Sequence, residues 1–152
     1  MLQKGDKAPD FQGYNQKGER INLSDFSGKR IILYFYPKDN TPGCTAEACN
    51  LNDNLAHFTN QGFVVIGISP DSIDSHERFA TKFNLGFNLV ADTDKSITQA
   101  YGAWGEKKNY GKTYMGLLRT TFIIDAQGVI EAIITKVDTK AHTEQIDKIL
   151  GL

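Results

Sequence analysis

Two thiols stand five residues apart in the stretch YFYPKDNTPGCTAEACN, residues 34–50, and Cys44 and Cys49 are the only cysteines of the chain. An apolar run leads into this stretch and a helical pattern leads out of it. Pro37 and Pro42, with Gly43, turn the chain out of a strand and aim it into a helix, so Cys44 falls at or just before the first helical turn. Free backbone N–H groups and the positive end of the helix dipole surround such a position, and both favour the thiolate. With a pKa near 8.5 only about 3% of a thiol is ionised at pH 7; at about 6, roughly 90% is. The chemistry implied is nucleophilic and redox.

Cys49 is placed less simply. On an unbroken helix, five residues separate Cα atoms by about 8.7 Å and rotate the side chains apart by about 140°. A disulfide needs Cα atoms within roughly 7 Å and converging side chains. Either the two thiols never pair, or pairing requires the helix start to unwind, which makes the bond strained and easily reduced. Zinc would need two more ligands, and His57, His76 and His142 show no ligand spacing to the thiols. Each histidine reads as an exposed or half-exposed helical side chain. A dithiol exchanger would carry C-x-x-C, whereas Thr41 stands where its first cysteine would be. Thr41 can hydrogen-bond the sulfur or an oxygen that attacks it, or it can serve as a helix N-cap. A guanidinium would complete a site for attack on a peroxide, holding the thiolate and donating to both oxygens as their bond breaks. Arg119, which opens RTTFIID ahead of an apolar run, is the candidate.

The elements that must position these groups follow from hydrophobic patterning. KRIILYFY (29–36) and FVVIGISP (63–70) are short continuous apolar runs, as in strands buried on both faces. The segment 44–62 has apolar residues at helical spacing and ends at Gly62. SIDSHERFATKFNL (72–85) reads as a helix with Ile73, Phe79 and Phe83 inward. YNQKGERINLSDF reads as a strand-turn-strand, FNLVAD as a weak strand, and GEKKNYGKTYMG as a polar loop. LRTTFIID and GVIEAIIT flank a turn, and a closing amphipathic helix carries Ile146, Ile149 and Leu150 on one face, with Asp138 or Thr139 as N-cap. Strands alternating with helices predict an α/β fold with a mixed sheet covered on both faces. Residues 37–44 then lie at the carboxyl end of a central strand, where sites in open α/β sheets occur.

Length and composition agree with one domain, residues 1–152. The net charge of −1 gives no bulk attraction to nucleic acid or anionic membrane. The start, MLQKGDKAPDFQGYN, lacks a signal-peptide apolar stretch, so the reading is a cytoplasmic chain in which two cysteines are reactive rather than a permanent staple. Neither G-x-G-x-x-G nor a Walker loop is present, and no cofactor or metal is implied.

The stretch YPKDNTPGCTAEAC resembles the peroxiredoxin signature P-x-x-x-T-x-x-C, matched by Pro37, Thr41 and Cys44. With TAEAC it is similar to the bacterioferritin-comigratory (Q-type) subfamily of thiol peroxidases. GDKAPDF, VIGISPDS, FNLVADTD, YGAWGEKKNYGKTYMG and RTTFIID resemble that family's segments in order, over nearly the whole chain. The resemblance implies a thioredoxin-like fold with an N-terminal β-hairpin extension. It implies a thiol-specific peroxidase acting on hydrogen peroxide and organic hydroperoxides, with Cys44 peroxidatic and Cys49 resolving it through an intramolecular Cys44–Cys49 disulfide. Thr41 and Arg119 would bind the peroxide, Pro37 would shield the sulfur, and Glu47 would help organise the site. Thr120 stands where a serine is expected, and keeps the hydroxyl. The implied reductant is thioredoxin or a glutaredoxin-like protein. Because both cysteines lie in one chain, a monomer suffices.

Overall fold

The computed structural model describes residues 2–152. Seven strands form one mixed sheet: β1 (Gln12–Tyr14), β2 (Arg20–Asn22), β3 (Arg30–Phe35), β4 (Phe63–Ser69), β5 (Asn88–Ala91), β8 (Thr120–Ile124) and β9 (Ile130–Ile134). Their order across the sheet is β2-β1-β5-β4-β3-β8-β9. The apolar run at 30–35 is central: β3 pairs parallel with β4 and antiparallel with β8. The β1–β2 hairpin adds to the β5 edge, antiparallel to it.

Successive β3 side chains point to opposite faces, and each face has its own core. Ile32, Tyr34 and Tyr36 pack with Cys44, Ala48 and Leu51 of α1 (Pro42–Asp53), Phe58 of α2 (Leu55–Thr59), Phe79 of α3 (Ile73–Phe83) and Ile146 of α5 (His142–Leu150). Ile31, Leu33 and Phe35 pack on the other face with Phe11, Ile66, Ile68 and Phe122, and with Ile97 of α4 (Ser96–Ala100). The sheet is therefore covered on both sides, as the continuous apolar runs require.

Several sequence expectations are corrected. The helix expected over 44–62 is two helices, because Asn54 donates its amide to the Asn50 carbonyl at 2.8 Å and takes an acceptor the helix would use. The polar segment expected as a loop is a two-stranded ribbon, β6 (Trp104–Asn109) and β7 (Lys112–Leu117), separate from the main sheet. Its turn residues Tyr110 and Gly111 have φ of 52° and 76°, the double positive φ of a tight hairpin turn. Most of the ribbon is exposed, so alternation gave no signal. The last helix starts at His142 with Ala141 as its N-cap residue, while the Asp138 carboxylate accepts from the N–H groups of Lys140 and Ala141 in the preceding turn. Ile149, expected inward, is exposed. His57 is exposed as expected, but His76 and His142 are fully buried. His76 falls in the apolar stripe of α3, one turn after Ile73 and before Phe79 and Ala80, and that periodicity is the signal that marks it.

Candidate active site

The site lies where the carboxyl end of β3 meets the N-terminus of α1. Thr41 occupies the N-cap position in extended conformation and Pro42 is the first helical residue. The first bond of the helix ladder runs from the Thr45 N–H to the Thr41 carbonyl at 2.8 Å. Proline has no N–H, and the N–H groups of Gly43 and Cys44, in the first turn, stand outside the ladder. Cys44, Glu47, Ala48 and Leu51 are the buried residues of α1, spaced three and four apart, so this face of the helix is pressed against the sheet.

Arg119 reaches the same place through strand register. β8 runs antiparallel to β3 with Thr120 opposite Phe35. The residue just before β8 is thereby delivered to the end of β3 and the start of α1. Its Nη2 donates to the Cys44 sulfur at 3.3 Å, and its Nη1 donates to Glu47 Oε1 at 2.7 Å. A Cβ at position 43 would lie 3.4 Å from Arg119 Nη2, so Gly43 leaves room for the guanidinium against the helix backbone. One planar cation thus bridges a sulfur and a carboxyl one turn apart.

Glu47 is fully buried. Burial pushes its carboxyl up to about 7, against the opposing charge and hydrogen bond of Arg119. Its Oε2 has no hydrogen-bond partner among the described residues, and the same is true of the buried Tyr34 hydroxyl. His142 Nε2 stands 3.5 Å from Glu47 Oε2. Burial moves the His142 imidazole below its ordinary value, so it is the neutral ring. Burial first, then the charges of Glu47, Cys44 and Asp39, hold the Tyr34 phenol well above its ordinary range.

The structure brings Cys44, Glu47 and Arg119 into direct contact. Thr41 is adjacent, but its hydroxyl donates to the Lys38 carbonyl at 2.9 Å rather than to the sulfur. Pro37 is half-buried at the other end of the same loop. Cys49 is on the same unbroken helix, half-buried, and both cysteines are free thiols. Burial, then Asp53, pushes the Cys49 thiol up. The second half of α1 is tied down: the Asn50 side chain accepts from the Thr143 N–H and donates to the Lys140 carbonyl, and Asn52 Oδ1 accepts from the Gly86 N–H.

The loop between β3 and α1 is anchored from behind by residues the motif spacing does not reveal. The Asp39 carboxylate accepts from Tyr36, Ser75 and His76 at 2.6–2.8 Å. Burial alone would push Asp39 up, but these hydrogen bonds, with His76 foremost, hold it below its ordinary value. Ligand-type atoms of Asp39, Asp71 and His76 lie within 4.8 Å of one another. They are spent on internal hydrogen bonds, because Asp71 Oδ2 also accepts from the Asp39 N–H and the Ser69 hydroxyl.

A thiol at a helix N-terminus, bridged by a guanidinium, on a sheet of this topology defines the class. The AhpC/TSA family model matches residues 4–133, and the chain belongs to that family. Within it, the chain is 45% identical over 144 residues to peroxiredoxin Bcp of Bacillus subtilis, covering 95% of this chain and 92% of that one. It is 45% identical over 145 residues to peroxiredoxin Bcp of Escherichia coli, covering 95% and 93%. Among solved structures it superposes on the bacterioferritin comigratory protein of Xanthomonas campestris with a TM-score of 0.87 at 33% identity, covering 93% of this chain and 90% of that one. The fold is the thioredoxin-like fold of the peroxiredoxins.

Proposed function

We propose that this chain is a thiol peroxidase that reduces hydrogen peroxide and organic hydroperoxides. The observation that carries the reading is the Arg119 guanidinium donating to the Cys44 sulfur at a helix N-terminus. The description of the Xanthomonas campestris relative as having alkyl peroxide reduction activity supports extending the substrate to organic hydroperoxides.

In this mechanism the Cys44 thiolate attacks the terminal oxygen of the hydroperoxide. An S–O bond forms, the O–O bond breaks, and the departing hydroxide or alkoxide takes a proton to become water or alcohol. Sulfur is left as sulfenic acid. Arg119 donates to the oxygens as charge shifts from sulfur to the leaving group. The Thr41 hydroxyl, donating to the Lys38 carbonyl, keeps lone pairs to accept the peroxide O–H. Pro37 limits water at the sulfur.

Oxidation takes the negative charge off the sulfur, so the Arg119 hold on Cys44 weakens, which loosens the start of α1. The first turns unwind, while the Asn50 and Asn52 contacts keep the second half in place. Cys49 then attacks the sulfenic sulfur, expels water and forms the Cys44–Cys49 disulfide. A dithiol protein, thioredoxin or a glutaredoxin-like protein, reduces it by exchange. Because resolution stays within one chain, a cytoplasmic monomer is the form we propose. No helix of the described residues is long and apolar enough to cross a membrane.

Stopped-flow peroxide consumption with a thioredoxin system tests this, combined with mass spectrometry of the 44–49 link. Cys44→Ser abolishes consumption. Cys49→Ser allows one turnover to sulfenic acid and blocks recycling by thioredoxin. Full activity in Cys44→Ser would overturn the assignment.

A further inference from the structure

The site holds one cation and two acids in direct contact with it. Arg119 donates to Cys44 through one nitrogen and to Glu47 through the other. Two anions would share one guanidinium in a site where Cys44 is 1% exposed and Glu47 is 0% exposed. An unmatched buried charge is costly. The balanced states therefore carry one negative charge, either on sulfur or on the carboxyl.

The far oxygen of Glu47 shows where a proton sits when the charge is on sulfur. Oε1 accepts from Arg119, whereas Oε2 has no donor among the described residues. His142 Nε2 stands 3.5 Å from it. The other ring nitrogen, Nδ1, faces Gln145 Oε1 at 2.9 Å. The Gln145 amide is oriented by its own contacts: its NH₂ donates to the Lys136 carbonyl and its oxygen accepts from the Asp138 N–H. Nδ1 must therefore be the donor, and the neutral ring leaves Nε2 bare. Nε2 takes the Thr121 hydroxyl at 2.8 Å. With the Nε2 lone pair used by Thr121 and no donor to Oε2 among the described residues, an ionised Oε2 would be an unpaired buried charge, whereas a protonated Oε2 carries none.

We propose that Glu47 is the charge-compensating acid of the site, protonated at Oε2 while Cys44 is thiolate and ionised once Cys44 is oxidised. His142, with Nδ1 turned to Gln145 and Nε2 taken by Thr121, is a positioning residue that keeps N–H donors away from Oε2. The proposal rests on the peroxidase reading above. The thiolate attacks ROOH and becomes sulfenic acid, the alkoxide takes one proton from water, and Glu47 releases one proton to solvent. The net step is Cys44–S⁻ plus Glu47–COOH plus ROOH giving Cys44–SOH plus Glu47–COO⁻ plus ROH. Arg119 keeps one anionic partner throughout.

The groups facing Glu47 are Arg119 at the entrance to β8, Cys44 one turn earlier on α1, Tyr34 on β3 and His142 on α5. Tyr34, held well above its ordinary range, stays neutral through the working range. Glu47, with its value pushed up to about 7, exchanges its proton there.

Difference infrared spectroscopy of the reduced protein, before and after one equivalent of hydrogen peroxide near neutral pH, tests the proposal. The expected result is a protonated-carboxyl C=O band in the reduced state that is lost on oxidation and absent from Glu47→Gln. His142→Gln, which offers an amide donor to Oε2, moves the loss of the band in the reduced protein to lower pH. A band that survives oxidation, or that persists in Glu47→Gln, overturns the proposal. So does its absence from the reduced wild type, a reading that needs no variant to fold. Mass spectrometry of the same samples separates the two failures. Oxidised Cys44 with an unchanged band refutes proton release alone, whereas Cys44 left unoxidised by peroxide refutes the peroxidase reading and this proposal with it.

Discussion

Replacing Glu47 by Gln tests the electrostatics of the site through stability. Glu47 is fully buried and its carboxyl sits at about 7 instead of the ordinary 4.5, because burial outweighs Arg119. A folded-state value raised above the unfolded one means that the folded protein binds the proton more tightly. Below 4.5 both states are protonated and the full stability is present. Between 4.5 and about 7 the unfolded chain ionises while the folded one does not, and stability is lost as pH rises. Above about 7 the loss is complete. At about 1.4 kcal/mol per pH unit, the span amounts to about 3 kcal/mol. The substituted amide would keep an acceptor for Arg119 and cannot ionise. Urea denaturation of the reduced proteins across roughly pH 4 to 9 reads the effect as the difference between wild type and Glu47→Gln. That difference moves by about 3 kcal/mol in favour of the variant as pH rises, a melting shift of roughly 6–12 °C for a chain of this size. A difference that stays constant across the range would mean that Glu47 ionises as freely in the folded protein as in the unfolded chain.

Further outcomes follow from other contacts. Arg119→Ala slows peroxide attack in stopped-flow by roughly 10²–10³, as for loss of a transition-state donor, and Arg119→Lys recovers little because one ammonium cannot bridge Cys44 and Glu47. An unchanged rate would remove Arg119 from the site. His76→Leu takes one donor from buried Asp39, which keeps those of Tyr36 and Ser75, and costs about 1–3 kcal/mol at neutral pH by urea denaturation. Because its hydrogen bonds hold Asp39 below its ordinary value, that contribution in the wild type is present at neutral pH and fades as the solution is acidified through the carboxylate range. Tyr34→Phe deletes a buried hydroxyl that has no partner among the described residues, so stability holds or rises by about 1 kcal/mol. A clear loss would show that the hydroxyl has a partner in solution.

Local patterning made much of this protein legible. The apolar runs at 29–36 and 63–70 announce central strands, and they became β3 and β4 with a core on each face. Pro42 and Gly43 place Cys44 in the first turn of a helix whatever surrounds it, because proline fits the first helical position and lacks the N–H that position does not use. These are properties of neighbours in the chain. The contact between Arg119 and Cys44 is not. It depends on β8 lying beside β3 with Thr120 opposite Phe35, a pairing between distant residues that no local period encodes. His76 and His142 stand at helical stripe positions, yet histidine is polar and its burial is decided by whether partners such as Asp39, Thr121 and Gln145 arrive from other elements or turns. The ribbon of β6 and β7 gave no pattern to read because its faces stay exposed. Short-range backbone preferences and hydrophobic period suffice for the strands, the helix starts and the placing of the Cys44 thiol at one of them. Which cation meets that thiol, and which carboxyl loses its water, is settled in three dimensions, because both depend on how distant segments stack and exclude solvent.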